Sequence, residues 1–303
     1  MTRFLTRRAL EALGLLLGLS LLTFTLMKVF PGDYLSEMEL NPAVPREQVE
    51  RMRESLGIDR SVPVQYGLWV KGLLSGDFGY SFAQRRPAGR LILDRLERTL
   101  RLAAPAFLLS LALAIPMGIL GAFKPESLVD RLVTTASVVG LSLPPLVSSI
   151  VLLFLAYRSG LGSAVTTGPL VNLAPAVALA LPIGAFLART LRAEMLAELG
   201  KGYVVAAAAR GLPLRRVIWH AFRNSVNPLI SLGGVTLGGL LSGSVVVEKV
   251  FSIAGLGALA VDSILSRDLY VALNCVMVSA AFVVLANLAA DLLLALNDPR
   301  VRS

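Results

Sequence analysis

The sequence predicts an all-α, polytopic membrane protein with six transmembrane helices. Of its 303 residues, 55% are hydrophobic and only 16% are charged, and the mean hydropathy is +0.71. This composition is typical of membrane proteins rather than of soluble domains. Six segments reach the roughly 20 apolar residues that cross a bilayer as a helix. The basic surplus, a formal net charge of +9, is concentrated in particular segments between them.

The positions of charged, glycine and proline residues set the limits of the six predicted spans. They are roughly residues 9–30, 102–123, 132–157, a span within 159–188 that starts near residue 169, a span within 224–247, and residues 269–290 extending toward 296. Basic residues precede the first span, as in a signal peptide, but no small-residue cleavage pattern follows it. We therefore expect the first span to remain as a transmembrane helix.

Loop charges orient these spans. Residues 189–223 carry seven basic and two acidic side chains, whereas residues 31–95 carry nine of each. Short loops that are rich in lysine and arginine stay on the cytoplasmic side of a membrane. The amino terminus, the basic loop and the carboxyl terminus are therefore predicted to be cytoplasmic.

The topology divides the chain into three parts. These are the amino terminus with the first span (1–30), an external segment (31–95), and a core of five spans (96–303) with a basic loop (189–228) and an external loop (248–268). Within the external segment we expect helices at residues 45–56 and 64–74, followed by a turn at residues 76–81. The segment has too few apolar residues for a core of its own and should pack on the membrane helices.

The sequence lacks the residues that several classes of membrane protein need for their function. The Gly-Lys pair at 200–201 has Met195 and Gly202 where a phosphate-binding loop needs Gly and Ser or Thr. The middles of spans two to six contain no ionisable residue, which disfavours an ion-coupled carrier. A single histidine, His220, and a single cysteine, Cys275, leave no catalytic pair, no intrachain disulfide and no metal site. The pattern favours a passive gate moved by a partner, with an ion-coupled carrier or channel as the alternative and a membrane enzyme as a distant third.

Prolines and glycines indicate candidate positions for a pathway through the membrane. Irregular backbone at membrane depth is tolerated where it is buried in protein or lines a water-filled cavity. In the fifth span, glycines recur four residues apart, at 234 and 238 and at 239 and 243, which lets helices approach closely. Tight packing is the first expectation for these glycines, and a pore-lining role is the second. The candidate pathway residues are Pro144, Pro145, Gly234, Gly238 and Ser242.

The external loop at residues 248–268 is half apolar. A helical stripe can form from Leu256, Leu259, Ala260 and Ile264. Such a helix either lies on the outer membrane surface or dips back toward the pathway, and the sequence does not decide between these positions. The candidate functional residues of this loop are Glu248, Phe251, Gly255 and Gly257.

The basic loop resembles the cytoplasmic EAA-type loop of ABC-transporter permeases, in the form found in the dipeptide, oligopeptide and nickel subfamily. The matching residues are Tyr203, Val204, Ala207, Ala209, Gly211, Leu212, Arg215, Arg216, Val217, Ile218, His220, Arg223, Asn224 and Pro228. Other parts of the chain also match, namely the runs at residues 76–81, 142–145, 247–252, 255–257 and 297–300. The resemblance therefore extends over nearly the whole chain.

The resemblance implies the permease subunit of an ATP-driven importer in the inner membrane of a bacterium or archaeon. Such a subunit works with a second homologous permease, two ATPase subunits and an external solute-binding protein. It binds no cofactor, because ATP and Mg²⁺ belong to the ATPases. Small peptides are the expected cargo, although nickel chelates, opines and oligosaccharides use similar permeases.

The chemistry of the basic loop agrees with an ATPase-docking role. Its alanine run, residues 206–209, forms a helix with little side-chain bulk, so a groove in a partner can approach the backbone closely. Gly211 permits a left-handed helix end, and Pro213 suits the first turn of the following helix. The predicted coupling element spans residues 201–223. Its candidate residues define the coupling segment, residues 201–215, and are Lys201, Tyr203, Val204, Ala206, Ala207, Ala208, Arg210, Gly211, Leu212, Pro213 and Arg215.

Overall fold

The computed structural model describes residues 2–29, 47, 50, 60–166, 168 and 170–297. This part of the chain is predominantly helical, as the sequence predicts. In chain order its elements are α1 (Thr2–Val29), α2 (Val62–Ser75), β1 (Tyr80–Ser81), β2 (Arg86–Pro87), α3 (Ala88–Phe123), α4 (Leu128–Ser142), α5 (Pro145–Arg158), α6 (Gly162–Thr166), α7 (Leu173–Leu199), α8 (Gly202–Ala209), α9 (Leu214–Val250), α10 (Leu256–Leu265) and α11 (Leu269–Asn297). Strands β1 and β2 pair antiparallel as a short hairpin, with Tyr80 opposite Pro87.

Four of the described helices, α1, α3, α7 and α11, are long and apolar enough to cross a membrane. Two bent segments also have this length and composition. Helices α4 and α5 meet at an angle of 99°, and α9 bends by 43° between Leu241 and Gly243. When each bent segment is counted as one span, the described residues contain six spans, in agreement with the predicted number.

The third predicted span, residues 132–157, is not one straight helix. Leu143 and Pro144 are extended between the end of α4 and the start of α5 at Pro145. Proline has no amide hydrogen and disfavours helical backbone in the residue before it, so the proline pair ends α4. Within α5, the Ser149 hydroxyl donates a hydrogen bond to the Pro145 carbonyl at 2.6 Å.

Helices α7 and α9 extend beyond their predicted spans. Helix α7 continues through Arg189, where the sequence predicts the start of the basic loop, and ends at Leu199. No glycine or proline interrupts the chain between Gly184 and Gly200, so nothing local stops the helix at the membrane boundary. Helix α9 contains both the arginine-rich part of the basic loop and the fifth span.

The larger of two compact units contains residues 99–253 and 282–297, and α7 lies at its centre. Small residues bring neighbouring helices very close to α7. A Cβ atom added to Gly118 of α3 would lie 2.8 Å from Leu191, and one added to Gly140 of α4 would lie 2.8 Å from Ala185. Lipid is as apolar as a leucine side chain, so packing at small residues is a main source of helix association in membranes.

Two glycines of α9 make similar contacts with α11. A Cβ atom on Gly234 would lie 2.7 Å from Asn287 Oδ1, and one on Gly238 would lie 2.8 Å from Val283. The expectation of tight packing is therefore confirmed for this pair of glycines. The other pair, at 239 and 243, has no such neighbour within 4 Å.

The smaller unit comprises residues 5–98 and 254–281 and includes the described part of the predicted external segment. Helix α2 agrees with the helix predicted at residues 64–74, and it ends at Gly76, whose φ is 77°. The other helix predicted in this segment, at residues 45–56, lies outside the described residues except for two positions.

Helix α2 packs on the membrane helices, as expected for a segment without a core of its own. Trp69 stacks on Phe24 of α1 with ring centroids 5.8 Å apart, and both side chains are buried with Leu273 and Met277 of α11. The Trp69 indole N–H donates to Asn274 Oδ1 at 2.9 Å. This hydrogen bond fixes the rotation of α2 about its axis, which apolar contacts alone would leave free.

Helix α10 forms part of the predicted stripe. Leu256 and Leu259 are buried against Leu91 of α3 and Cys275 of α11. Ile264 differs from the prediction, because 52% of its surface is exposed. Residues 256–259 at the start of α10 are all buried, and farther along the helix Ser263 is buried while Ile264 lies on the exposed side.

The contact of Gly118 with α7 yields a stability prediction. We expect Gly118→Ala to destabilise the protein by about 1–3 kcal/mol, because the new methyl group would overlap Leu191 in a packed helix pair. The measurement is thermal unfolding of the purified protein in detergent. Gly239→Ala is the matched control, since its Cβ meets open space. Equal or higher stability of Gly118→Ala would contradict the close packing described here.

Candidate functional site

The predicted coupling segment, residues 201–215, folds into α8 and a defined turn. Gly211 has a φ of 76°, its N–H donates to the Ala208 carbonyl at 3.0 Å, and the Leu212 N–H donates to the Ala207 carbonyl at 3.3 Å. These two bonds form a Schellman motif, in which a left-handed residue closes the helix end. Pro213 is the N-cap of α9, with extended backbone (φ −62°, ψ 141°), and so lies one residue before the first turn that the sequence predicts for it. The left-handed helix end expected at Gly211 is present.

One face of α8 is anchored in the larger unit. Val204 is only 2% exposed and packs in an apolar cluster with Met195 of α7 and Ala221 of α9. Ala207 and Leu212 are half-buried on the same side. The helix is therefore attached at the same time to the end of α7 and to the start of α9.

The opposite face of α8 is open and almost without bulk. The exposed predicted residues are Lys201, Tyr203, Ala206, Ala208, Arg210, Gly211, Pro213 and Arg215. Val205 and Ala209 are exposed beside them. Alanine and glycine side chains on this face leave the backbone accessible to another protein, and basic residues surround them.

A hydrogen-bonded chain of polar side chains holds α8 at its first turn. Tyr203 Oη donates to Glu198 Oε2 at 2.6 Å and accepts from Asn224 Nδ2 at 2.7 Å, which connects α7, α8 and α9. Lys201 Nζ forms an ion pair with the other oxygen of Glu198. Glu198 is 8% exposed, so its charge is largely removed from water and is balanced by these partners.

These hydrogen bonds require a charged Lys201 and a neutral Tyr203, which are the protonation states present at neutral pH. The hydrogen bond to Glu198 raises the pKa of Lys201 above its usual value. Burial, followed by the contact with Glu198, raises the pKa of Tyr203. A raised lysine pKa contributes stability below the unfolded pKa of about 10.4, and that contribution is lost only as pH rises through the folded pKa. Lys201 is therefore charged and Tyr203 is a neutral donor at neutral pH.

A cavity of about 300 Å³ lies within the larger unit. Three helices line it: α5 contributes Pro145, α7 contributes four residues around Pro182, and α9 contributes Thr236, Gly239, Leu240 and Gly243. The four from α7 are Leu179, Pro182, Ile183 and Phe186. Thr236 supplies the one side-chain hydroxyl of this lining, and none of the lining side chains is charged.

The structure distributes the predicted pathway residues over different places. Pro145 lines the cavity, and Pro144 forms the extended break before α5. Gly234 and Gly238 face α11 and do not line the cavity. Ser242 lies at the bend of α9, and its side chain is outside the described part. The glycines that line the cavity are Gly239 and Gly243. A pathway role for the predicted residues stays a prediction.

Glu248 differs from the loop residue that the sequence predicts. It belongs to the last turns of α9 and is fully buried. Its Oε1 accepts hydrogen bonds from Thr99 Oγ1 at 2.7 Å and from Ser244 Oγ at 2.9 Å. These hydroxyl donors reduce the cost of burying the carboxylate, which lets the helix continue past it.

The other predicted loop residues are also packed. Phe251 is the C-cap of α9, Gly255 is the N-cap of α10, and Gly257 lies in α10; all three are buried. The external loop predicted at residues 248–268 is thus largely helical, and its predicted helical stripe lies in α10.

The sequence alone did not single out Glu198, Thr99 or the ion pair of Asp130 with Arg192, and it assigned Asn224 no contact. Glu198 stands three residues before Lys201, a spacing that favours a pair on one helical turn. Asn224 lies in the run that resembles the permease motif. Thr99 and Asp130 gave no such signal, because their partners are distant in the chain.

Removal of the Tyr203 hydroxyl tests the polar chain. We expect Tyr203→Phe to weaken the attachment of α8 by about 1–3 kcal/mol, because Glu198 and Asn224 both lose a partner. Backbone amides of α8 should then exchange hydrogen roughly tenfold faster. Tyr157→Phe, at an exposed tyrosine of α5, is the control. Unchanged protection of α8 in Tyr203→Phe would show that the hydroxyl does not hold the helix.

Comparison with known proteins identifies the family. Residues 114–303 match the model of the binding-protein-dependent transport system inner membrane component, and residues 1–103 match the amino-terminal model of such membrane components. Both the coupling segment and the cavity lie within the first match.

Relatives align over almost the full chain. The oligopeptide transport system permease protein AppB of Bacillus subtilis is 35% identical over 315 residues, covering 99% of each chain. The dipeptide transport system permease protein DppB of Lactococcus lactis is 36% identical, covering 97% of this chain and 98% of the relative. The nickel import system permease protein NikB of Staphylococcus aureus is 34% identical, covering 97% and 90%. The chain therefore belongs to the family of inner membrane permease components of binding-protein-dependent transport systems.

Proposed function

We propose that this chain is the permease subunit of an ATP-driven importer of small peptides, and that a separate ATPase moves it through residues 201–215. One observation carries the proposal: the two helices that hold α8 are also the helices that form most of the cavity wall. Helix α7 lines the cavity with Leu179, Pro182, Ile183 and Phe186, and α9 lines it with residues 236–243. A displacement of α8 is therefore connected through continuous helices to the cavity.

The mechanism follows from the attachment of α8. When two ATPases bind ATP and close, they displace the open face of α8. Val204 and the chain Glu198–Tyr203–Asn224 prevent α8 from moving by itself, so the ends of α7 and α9 move with it. The resulting tilt of α7 and α9 then switches the cavity between inward-facing and outward-facing states.

Assembly with other subunits completes the transporter. This chain supplies half of the translocation pathway, and a second homologous permease supplies the other half. A solute-binding protein delivers cargo from outside. ATP and Mg²⁺ are bound by the ATPase subunits and not by this chain.

Small peptides are the cargo that fits best. Among the similar permeases, AppB is named for oligopeptide transport, DppB for dipeptide transport and NikB for nickel import. An uncharged, mainly apolar lining gives no fixed charge that would select one kind of side chain, which suits peptides of varied sequence. Uptake of a nickel chelate in place of peptides by the reconstituted complex would overturn this assignment of cargo.

Variants of the α8 turn test the coupling role. Gly211→Val places a β-branched residue at a φ of 76°, which costs about 1–2 kcal/mol and changes the helix end. Ala206→Asp puts a charge on the exposed face of α8. We expect both variants to insert normally, and transport in proteoliposomes with all partner subunits to fall at least tenfold, because the ATPases detach or hydrolyse ATP without moving cargo.

Two milder substitutions serve as controls for the turn variants. Gly211→Asn retains a residue type that adopts left-handed backbone, and Arg216→Ala removes one exposed charge worth about 0–1 kcal/mol. Both should transport nearly as the unaltered protein does. Wild-type transport by Gly211→Val and Ala206→Asp would remove the main support for coupling at this segment. Concentrative uptake by the purified chain without ATPases would favour the ion-coupled carrier instead.

Chemical labelling tests the proposed orientation. A cysteine at Gln84 should react with a membrane-impermeant maleimide added to intact cells, because residues 31–95 are external in this proposal. A cysteine at Lys124, between α3 and α4, should react only after the membrane is permeabilised. The native Cys275 is buried and should contribute little background. The reverse labelling pattern would invert the topology and place α8 on the wrong side for an ATPase.

A further inference from the structure

An ion pair joins α4 to α7 inside the larger unit. The Arg192 guanidinium donates from Nε to Asp130 Oδ1 at 2.5 Å and from Nη2 to Asp130 Oδ2 at 2.7 Å. Two parallel hydrogen bonds between a guanidinium and a carboxylate fix orientation as well as distance. Asp130 is only 5% exposed and the Arg192 side chain is 26% exposed, so the pair is partly shielded from water.

Asp130 also organises the turn between α3 and α4. Its Oδ2 accepts the Glu126 N–H at 2.9 Å, and Glu126 has a φ of 62°, which non-glycine residues adopt at a cost. The Asp130 N–H donates to the N-cap hydroxyl of Ser127 at 3.3 Å. The carboxylate thus holds the first turn of α4 and the preceding turn in one arrangement.

Helix α3 leaves space for the arginine side chain. A Cβ atom on Gly121 would lie 3.1 Å from Arg192 Cδ. The aliphatic part of Arg192 therefore passes beside α3 on its way to Asp130. The end of α3, the start of α4 and the body of α7 meet at this one side chain.

The position of Arg192 in α7 connects the ion pair to the coupling segment. Arg192 precedes Glu198 in the same uninterrupted helix, by less than two turns. Glu198 is the residue that holds Tyr203 and Lys201 of the coupling segment. A displacement of α8 thus reaches Arg192 through a short length of rigid helix.

The position of Asp130 in α4 connects the ion pair to the third wall of the cavity. Helix α4 leads through the break at Pro144 into α5, whose first residue, Pro145, lines the cavity. The attachment of α8 reaches α7 and α9 directly. Helix α5 also contacts both of these helices, and its Ser148 hydroxyl donates to the Ala178 carbonyl of α7 at 3.2 Å. Gly140 of α4 packs closely on Ala185 of α7. Of these three links to α7, the ion pair lies nearest the coupling segment, because Arg192 stands closer to Glu198 in the helix than Ala178 or Ala185 does.

We propose that the Arg192–Asp130 ion pair is the positioning link that makes α4 and α5 follow α7 when the coupling segment moves. This inference rests on the proposed coupling role of residues 201–215. The pair does not touch cargo or nucleotide. It determines how much of each ATP-driven displacement reaches the third wall of the cavity.

The test compares transport with ATP hydrolysis in the same vesicles. The complete complex is reconstituted with its ATPases and binding protein, and peptide uptake per ATP hydrolysed is measured for Arg192→Lys and Asp130→Asn. Lysine keeps the charge but loses the two-pronged hydrogen bond, and asparagine keeps the shape but loses the charge. We expect the amount of bound ATPase and its hydrolysis rate to be retained, and uptake per ATP to fall about five- to tenfold, the scale of typical coupling between sites.

Matched controls separate a link from a merely structural contact. Arg131→Lys changes an exposed arginine next to Asp130 and should leave uptake per ATP unchanged. The exchanged pair Asp130→Arg with Arg192→Asp should recover part of the lost uptake per ATP relative to the single change Arg192→Asp. A role in stability alone would lower the amount of assembled complex and leave uptake per ATP at the wild-type value, which would overturn the proposal.

The same assay distinguishes failure of this inference from failure of the proposed function. Gly211→Val is measured in parallel. If Gly211→Val loses transport while Arg192→Lys and Asp130→Asn keep the wild-type ratio, the link is wrong and the coupling role of residues 201–215 stands. If Gly211→Val also transports normally, the coupling role itself is wrong.

Discussion

Helix α7 can lie at the centre of the larger unit only because its neighbours present small residues to it. Gly118 of α3 and Gly140 of α4 each leave a gap that a single methyl group would overfill, and Gly184 of α7 itself lies against Ser110 of α3. In a membrane these contacts replace the hydrophobic effect as the source of helix association. The cavity wall, the attachment of α8 and the ion pair with α4 all depend on where α7 lies, so they depend on these few positions.

Polar side chains give direction to this packing. Glu248 of α9 accepts hydrogen bonds from Thr99 of α3 and from Ser244, one turn earlier in α9. Arg192 of α7 forms an ion pair with Asp130 of α4. Burying such groups is costly, and they remain stable because each described oxygen or guanidinium has a partner with good geometry. Apolar surfaces tolerate many rotations and translations of one helix against another, whereas these bonds tolerate few. A transporter that must move its helices together benefits from such hydrogen bonds and ion pairs.

Departures from straight helix coincide with the cavity. Pro145 starts α5 after a 99° break, and α9 bends beside Gly243. Both residues line the cavity, together with Pro182 of α7. A helix that bends away from its neighbour leaves a gap that side chains as small as glycine cannot fill. The proposed pathway thus begins where the backbone is irregular, and the straight parts of the same helices carry the close contacts that hold the unit together.

Hydropathy and local chemistry were enough to determine the class of the protein, the number of apolar spans and the turn at Gly211 and Pro213, because these depend on properties of single residues and their near neighbours. The same local signals indicated irregular backbone at Pro144 and Pro145 and close packing at Gly234 and Gly238. Only the tertiary structure decided that residues 132–157 form two helices at a steep angle, that α9 continues through Glu248, and that Gly239 rather than Gly234 faces the cavity. The partners that decide these outcomes, Thr99 for Glu248, Asn287 for Gly234 and Arg192 for Asp130, are more than 50 residues away in the chain. A pattern of residues along one helix shows which side chains can pack or pair, but the identity of the facing helix is fixed only when the chain has folded.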